Sequence, residues 1–544
     1  MSTDDLIGLH GKETSGPRWA AFRELNNAAA RLASEGRVTE AAAMFAEAYA
    51  LTLVDDLDAA GFDGRARVLG NLSSLAEGRG ETAEALRLAG EALRACERAE
   101  REAGDRYGTV AVRTSVLIQR AQTFQLLGRY DDALTDLDAA LALTSDTGTG
   151  DDRLLEFNLH NTRSVLLFGL ERFEEAETVA RRALDLANAF DPRLAAHPYT
   201  NLGMIAQAHN AGDDAMSYLR SAEQIHTAAG DLVQAALVVA NQGRVAARMG
   251  DPEAAGRLLA RAEQTFLDGE HPLRAAEIRL SRAHVAFQSG DADLARSLLP
   301  QAIEALRDAG HVVMLAEALG VRGDMLAAEG DLYEAEQAFL EARALYEQTG
   351  ARYQVARVDM RRALAISAAA ERAADPQEQG HLVLLALNLS LPSALATDAI
   401  RHTYAPGRAR EQWAATVAIP AMAHALHLVT VMEDGALMSE LLEHMSGTVS
   451  LHAPASAAAL APDQPPPDLA APDLPVPSGE PARLAFAASA FITGTSADFP
   501  APQFALPPRL RVNPNRPSAL EPWITETEHR YGFAIRSDQV VDSW

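Results

Sequence analysis

Amide side chains recur at one place along this chain. Asn27, Asn71, Gln119, Asn201 and Asn241 each stand two residues before a small residue (Ala29, Ser73, Ala121, Gly203 and Gly243). Thr162, Ser281 and Val321 hold the same place before Ser164, Ala283 and Gly323, and the small residues follow one another at steps of 39 to 48. Asn is a mediocre helix former, so its return inside helical stretches asks for a reason. An amide is donor and acceptor at once, and a row of amides can hold an extended peptide by its backbone. The alternative is that these amides bond within or between the repeating units. Around them stand Asn26, Gln122, Asn158, Asn161 and His197. Arg23, Arg67 and Arg244 add guanidinium groups that suit a partner's carboxylates, or that simply face water.

Nothing comparable points to catalysis. Cys96, the single cysteine, lies on a largely apolar helical stretch and reads as a small packed hydrophobe. It excludes an internal disulfide and a thiolate metal cluster. Lys12 follows Gly11, but Leu6 stands where a phosphate loop needs its first glycine. His424 and His427 share a helix face with no third ligand nearby, and read as core or interface histidines rather than a metal site. Glu443-His444 lacks the second histidine of a zinc-protease motif, and no G-x-S-x-G falls near a strand pattern. The acidic pairs Asp55-Asp56, Asp131-Asp132 and Asp213-Asp214 fall at turns or helix ends, where solvation and the helix dipole account for them. The expectation is a non-enzyme with no cofactor and no metal.

The elements that position these residues are legible as a repeat. Gly36-Arg37, Gly80-Glu81, Gly128-Arg129, Asn210-Ala211, Gly250-Asp251, Gly290-Asp291 and Gly330-Asp331 each end an apolar helical stretch, and Glu171 holds this place in the remaining unit. Five residues later comes alanine, and seven after that another: Ala41/Ala48, Ala85/Ala92, Ala133/Ala140, Ala176/Ala183, Ala215/Ala222, Ala255/Ala262, Ala295/Ala302 and Ala335/Ala342. Glycine closes a helix in the left-handed conformation. The aspartate after it caps the next helix, and Pro252 fits that helix's first turn. A period of this size means stacked helix pairs.

The small residue in the first helix and the paired alanines in the second resemble the tetratricopeptide repeat (TPR), over about residues 19–362. The steps exceed the usual 34 residues of that motif, as in the long variant of bacterial regulatory and scaffold proteins. The resemblance implies an all-α fold, a right-handed superhelix of about eight helix pairs. Its first helices would line a concave groove for a peptide or protein partner, walled by Asn27, Asn71, Gln119, Asn161, Asn201, Asn241, Arg23, Arg67 and Arg244.

Beyond the repeats, residues 363–451 read as a helical module with helices over 381–388, 394–404, 408–427 and 435–445, closing the solenoid end. Residues 452–481, rich in Pro and Ala, read as a linker. Residues 482–544 form an irregular tail with an apolar stretch at 484–492, Leu506-Pro507-Pro508-Arg509, Trp523, Tyr531 and Trp544. So many aromatics predict a tail that docks, on the protein itself or on a partner. The order of module, linker, Pro507-Pro508-Arg509 and Glu528-His529-Arg530-Tyr531-Gly532 is similar to TPR companions of CHAT (caspase-like) proteases in high-GC bacteria. It implies a non-catalytic partner of such a protease.

Bulk composition narrows the partners. A net charge of −27 over 544 residues opposes generic binding to nucleic acid or to an anionic membrane. The start lacks the features of a secretory signal, and cytoplasm is the expected compartment. Residues 414–432 carry no full charge, yet Pro420, His424 and His427 favour a buried helix over a membrane span. The second reading is a ligand-responsive sensor whose tail is released on binding. The sequence leaves the oligomeric state open.

Overall fold

The computed structural model describes residues 15–34, 37–79, 81–127, 129–144, 150–170, 172–403, 410, 413–450, 506, 509–511, 517–537 and 540–542. Lys12, the turn residues Gly36, Gly80, Gly128 and Glu171, the linker 452–481, the stretch 484–492 and Trp544 lie outside the described residues. The chain divides into two compact units, the first ending at Val285 and the second beginning at Ala286.

The first unit is built of successive helix pairs. They are α1 (Ala20–Ser34) with α2 (Val38–Leu51), α3 (Ala59–Gly78) with α4 (Thr82–Ala103), and α5 (Thr109–Leu126) with α6 (Tyr130–Leu143). Then come α7 (Gly150–Gly169) with α8 (Phe173–Phe190), α9 (Ala196–Ala208) with α10 (Gly212–Ala228), and α11 (Leu232–Arg248) with α12 (Pro252–Asp268). The unit boundary falls within α13 (Pro272–Gln288). The second unit continues with α14 (Ala292–Asp308), α15 (Val312–Glu329), α16 (Leu332–Gln348), α17 (Arg352–Arg372) and α18 (Pro376–Ile400). A π-turn at Ala414–Ala418 leads into α19 (Ile419–Val431), followed by α20 (Gly435–Ser450) and, far along the chain, α21 (Glu521–Tyr531). The fold is an all-α array of repeated helical pairs. Among the described residues the departure is a short parallel ladder, β1 (Arg509–Arg511) beside β2 (Val540–Asp542).

Side-chain size explains the pairing. All sixteen second-helix alanines of the eight repeats are 0% exposed, so each marks a place where only a methyl fits. On the facing helix, a Cβ added at Gly203 would come within 2.7 Å of Leu219 Cγ, and one at Gly243 within 2.8 Å of Leu259 Cγ. Glycine in mid-helix costs about 1 kcal/mol relative to alanine; close approach of the two helices is what it permits here. Gly250, Gly290 and Gly330 take φ of +82°, +86° and +92°. The carboxylates of Asp251, Asp291 and Asp331 accept from the backbone N–H groups of Ala254, Leu294 and Glu334 at 2.9, 3.1 and 3.1 Å. Earlier caps work differently: Arg37, Arg129 and Arg172 make no side-chain cap and pair instead with the acid three residues on.

The second unit departs from the sequence reading in two places. Separate helices were expected over 381–388 and 394–404, but α18 runs unbroken through Pro392. The tail, read as irregular, contains α21, with Pro522 in its first turn and Gly532 closing it at φ +71°. Leu520, Ile524 and Ile535 of the tail join Leu387, Leu391, Leu395, Met422, Leu428 and Leu441 in one buried core. Pro376–Ile400 and Ala414–Val431 are each long and apolar enough, by length and composition, to cross a membrane; 78% of the first window and 33% of the second are buried within the protein.

Candidate functional site

The recurring amides sit on consecutive first helices, and all six of Asn27, Asn71, Gln119, Asn161, Asn201 and Asn241 are half-buried. Neighbouring first helices exchange hydrogen bonds through them. Asn71 Nδ2 on α3 donates to Asn26 Oδ1 on α1 at 3.2 Å. Gln119 Nε2 on α5 donates to Ser74 Oγ on α3, and Gln122 Nε2 donates to Thr162 Oγ1 on α7 at 3.1 Å. Asn201 Nδ2 on α9 donates to Asn161 Oδ1 at 3.0 Å and to Ser164 Oγ at 2.8 Å, both on α7. Asn241 instead accepts from Arg244 on its own helix at 2.8 Å. Asn71, Gln119 and Asn201 therefore stitch one repeat to the next. These bonds use only part of an amide's two donors and two lone pairs.

The arginines are engaged locally. Arg23 Nη1 donates to Ser15 Oγ at 2.8 Å and to the Gly16 carbonyl at 3.1 Å. Arg67 pairs with the buried Asp63 at 2.8 Å and reaches the Tyr107 carbonyl at 3.0 Å. Burial pulls the pKa of Arg244 down, and the Glu277 charge works against that pull. Among the other candidates, Asn158 is exposed, and the His197 ring meets the His226 ring edge-on at 5.3 Å, desolvation lowering both pKa values.

The second unit holds a polar assembly that the sequence did not announce. Asp359 on α17 is 1% exposed and accepts from Arg343 Nε on α16 at 3.1 Å, Arg362 Nη1 at 2.9 Å and the Tyr531 hydroxyl on α21 at 3.0 Å. Burial, then the Asp359 charge, drives the Tyr531 pKa well above its ordinary value. Glu440 on α20 accepts from Ser518 Oγ at 2.6 Å and from the backbone N–H groups of Ala519 and Leu520 at 3.0 and 2.9 Å, so a carboxylate meets donors at the entry to α21. Arg530 Nη1 donates to the Asn388 carbonyl at 2.8 Å. Pro392 has no N–H to give that carbonyl in the helical i→i−4 bond, so the tail arginine satisfies an acceptor that the proline left open. The described residues 517–537 of the tail thus pack against their own unit. Pro392 together with the start and stop residues of α21 was the signal that could have found it.

His424 bridges two serines. Its Nε2 lies 3.0 Å from Ser367 Oγ and its Nδ1 2.8 Å from Ser390 Oγ. Cys96 is buried, and desolvation pushes its thiol up to about 12, a value at which it is not a nucleophile at neutral pH. Among the described residues, no group of three or more His, Cys, Asp or Glu is arranged to hold a metal.

Against this geometry stand the comparisons. A family model described as tetratricopeptide repeat matches residues 113–189, which reach from α5 into α8. No curated protein matches the chain. Among solved structures, the aspartyl phosphate phosphatase F of Bacillus subtilis is 12% identical with a TM-score of 0.44, over 70% of this chain and 95% of its own. A Rap protein complexed with competence and sporulation factor is 14% identical with a TM-score of 0.42, over 65% and 99%. A signal-transduction ATPase with a tetratricopeptide repeat sensor, from Pyrococcus horikoshii, is 15% identical with a TM-score of 0.43, over 63% and 52%.

Proposed function

We propose that this protein is a non-catalytic interaction scaffold that holds a peptide or protein segment along the first helices of its repeats. The observation that carries this reading is the half-buried amide row. Asn71, Gln119, Asn161, Asn201 and Asn241 stand on successive first helices, each fixed by a neighbour and each with amide valence to spare. Side chains already held in place lose little entropy when a peptide backbone bonds to them. The compartment that suits the scaffold is the cytoplasm, where the free Cys96 stays reduced. A caspase-like protease is the partner class that the C-terminal resemblance suggests.

The test is affinity capture from native lysate with the full chain and with the Asn201→Ala/Asn241→Ala variant, read by mass spectrometry. Proteins retained by the parent and lost by the variant, at equal helical circular dichroism, are the expected result. Equal capture by both removes the amide row from the mechanism. A caspase-like protease among the lost proteins supports that partner class, and its absence discards it.

A second reading has its own observation. Asp359, Glu440 and the Asn388 carbonyl tether the tail through groups that a ligand could compete for. In this reading the protein is a sensor whose tail leaves its seat when a partner binds.

A further inference from the structure

The π-turn at Ala414–Ala418 and α19 form one helical stretch, and it carries no full charge from Ala414 to Val431. One side of it faces the core of the second unit: Ala421, Met422, Ala425, Leu428 and Val429 are each at most 3% exposed. The other side is open. Ala415, Ile419, Ala423 and His427 recur at every fourth residue and are all exposed, Ile419 at 55%, and Val431 continues the line at 50%. Residues four apart share a helix face, so these side chains form one stripe. A surface helix ordinarily turns charged or polar residues outward, and the end of a repeat array does so to stay soluble. This helix does not. The apolar window of α18 is accounted for by burial, with 78% of it inside the protein, against 33% here.

The stripe alternates in size: small at Ala415, large at Ile419, small at Ala423, large at His427. Turned end for end, it reads large, small, large, small. Two copies laid antiparallel, with a two-fold axis between positions 419 and 423, therefore interlock. Ile419 of each copy lies on Ala423 of the other, and His427 of each lies on Ala415 of the other. The repeats use the same fit internally, where Leu219 and Leu259 fill the places left by Gly203 and Gly243. A two-fold interface demands this reciprocity, residue i on residue j and residue j on residue i. Charge points the same way. At −27 per chain, two copies repel over most approaches, and a charge-free face is where they can meet.

We propose that this face is a two-fold contact between copies of the chain, with α19 packed antiparallel on α19 of a second copy. The dimer presents two sets of repeats in one particle. The inference rests neither on the amide row of the first unit nor on the seating of the tail.

The test is sedimentation equilibrium of the full chain over a range of concentrations. The parent is expected to form a reversible dimer of twice the chain mass. Ala423→Ile sets a second isoleucine against Ile419 and weakens the dimer roughly tenfold or more, the scale of overpacking a close contact. Ile419→Ala/Ala423→Ile moves the large residue to the opposite place and restores the parent's dissociation constant, a rescue that requires the two positions to face each other. Ala423→Arg abolishes the dimer. Positions 419 and 423 are exposed in the single chain, so these variants keep the parent's helical circular dichroism. Arg220→Gln, at an exposed arginine of the first unit, leaves the dimer intact. A parent that stays monomeric at every concentration overturns the proposal. So does a dimer indifferent to Ala423→Ile, or one that the exchanged pair fails to restore.

Discussion

His424 shows how a single side chain can carry a pH dependence. It is held between Ser367 and Ser390, and burial, with the neighbouring His427 charge, lowers its pKa to about 4. In the unfolded chain it returns to about 6.5. Between these values the unfolded state binds the proton that the folded state refuses. Stability therefore falls as pH drops from about 6.5 to about 4, and this contribution levels off below. The full difference amounts to roughly 3 kcal/mol at about 1.4 kcal/mol per pKa unit, less where water reaches the ring. Denaturant titrations at pH 7, 5.5 and 4 should show the parent losing more stability than His424→Gln over that interval. Parallel losses would mean that burial does not hold the ring neutral. The same bonds mark the limit of the sequence at this scale. The amide row was visible because one residue type returns to one place. Its partners were not, since Ser164, Thr162 and Asn26 are 37 to 45 residues away along the chain and ordinary in type.

Among the elements, α18 and α21 are linked by a defect. Pro392 sits inside α18, where proline costs a helical hydrogen bond, and Arg530 donates to the carbonyl thereby freed. Removing the guanidinium should cost about 0.5–1.5 kcal/mol, the net worth of a hydrogen bond at a site that water can reach. In a Pro392→Ala background the helix can supply its own donor, and the same Arg530→Ala change should cost clearly less. A double-mutant cycle read by denaturant unfolding measures the coupling; additive effects would show that the arginine and the proline are unrelated. The repeat elements themselves were legible down to single residues. Glycine at the turns and alanine on the second helices report local sterics, and local sterics repeat. The continuity of α18 was not legible, because whether a proline breaks a helix depends on what replaces the lost bond. That replacement lies 142 residues away. The α21 helix carried ordinary signals in Pro522 and Gly532, but they were read within a tail whose composition suggested irregularity.

At the scale of the whole molecule, stability should be local. In a helical-repeat array each pair is supported by its neighbours, and a perturbation fades within a few elements. The tail places Leu520, Ile524, Tyr531 and Ile535, each at most 5% exposed, against the last helices of the second unit. Fully burying an apolar side chain stabilises by about 1.5–3 kcal/mol, so a chain lacking residues 518–544 loses several kcal/mol at that seat. Hydrogen exchange read by mass spectrometry should then show faster exchange in α17, α18 and α20. Peptides from α1 to α12 should exchange as in the parent, because none of the described residues from 518 onward belongs to their core clusters. Acceleration throughout the chain would mean that the two units fold as one cooperative body and that the tail supports both. The deletion also supplies a reference for the sensor reading. If a captured partner, added to the intact chain, speeds exchange in α18 and α20 as the deletion does, binding unseats the tail. If the partner protects the first helices and leaves α18 and α20 unchanged, the tail is a permanent part of the second unit and the protein works as a scaffold alone.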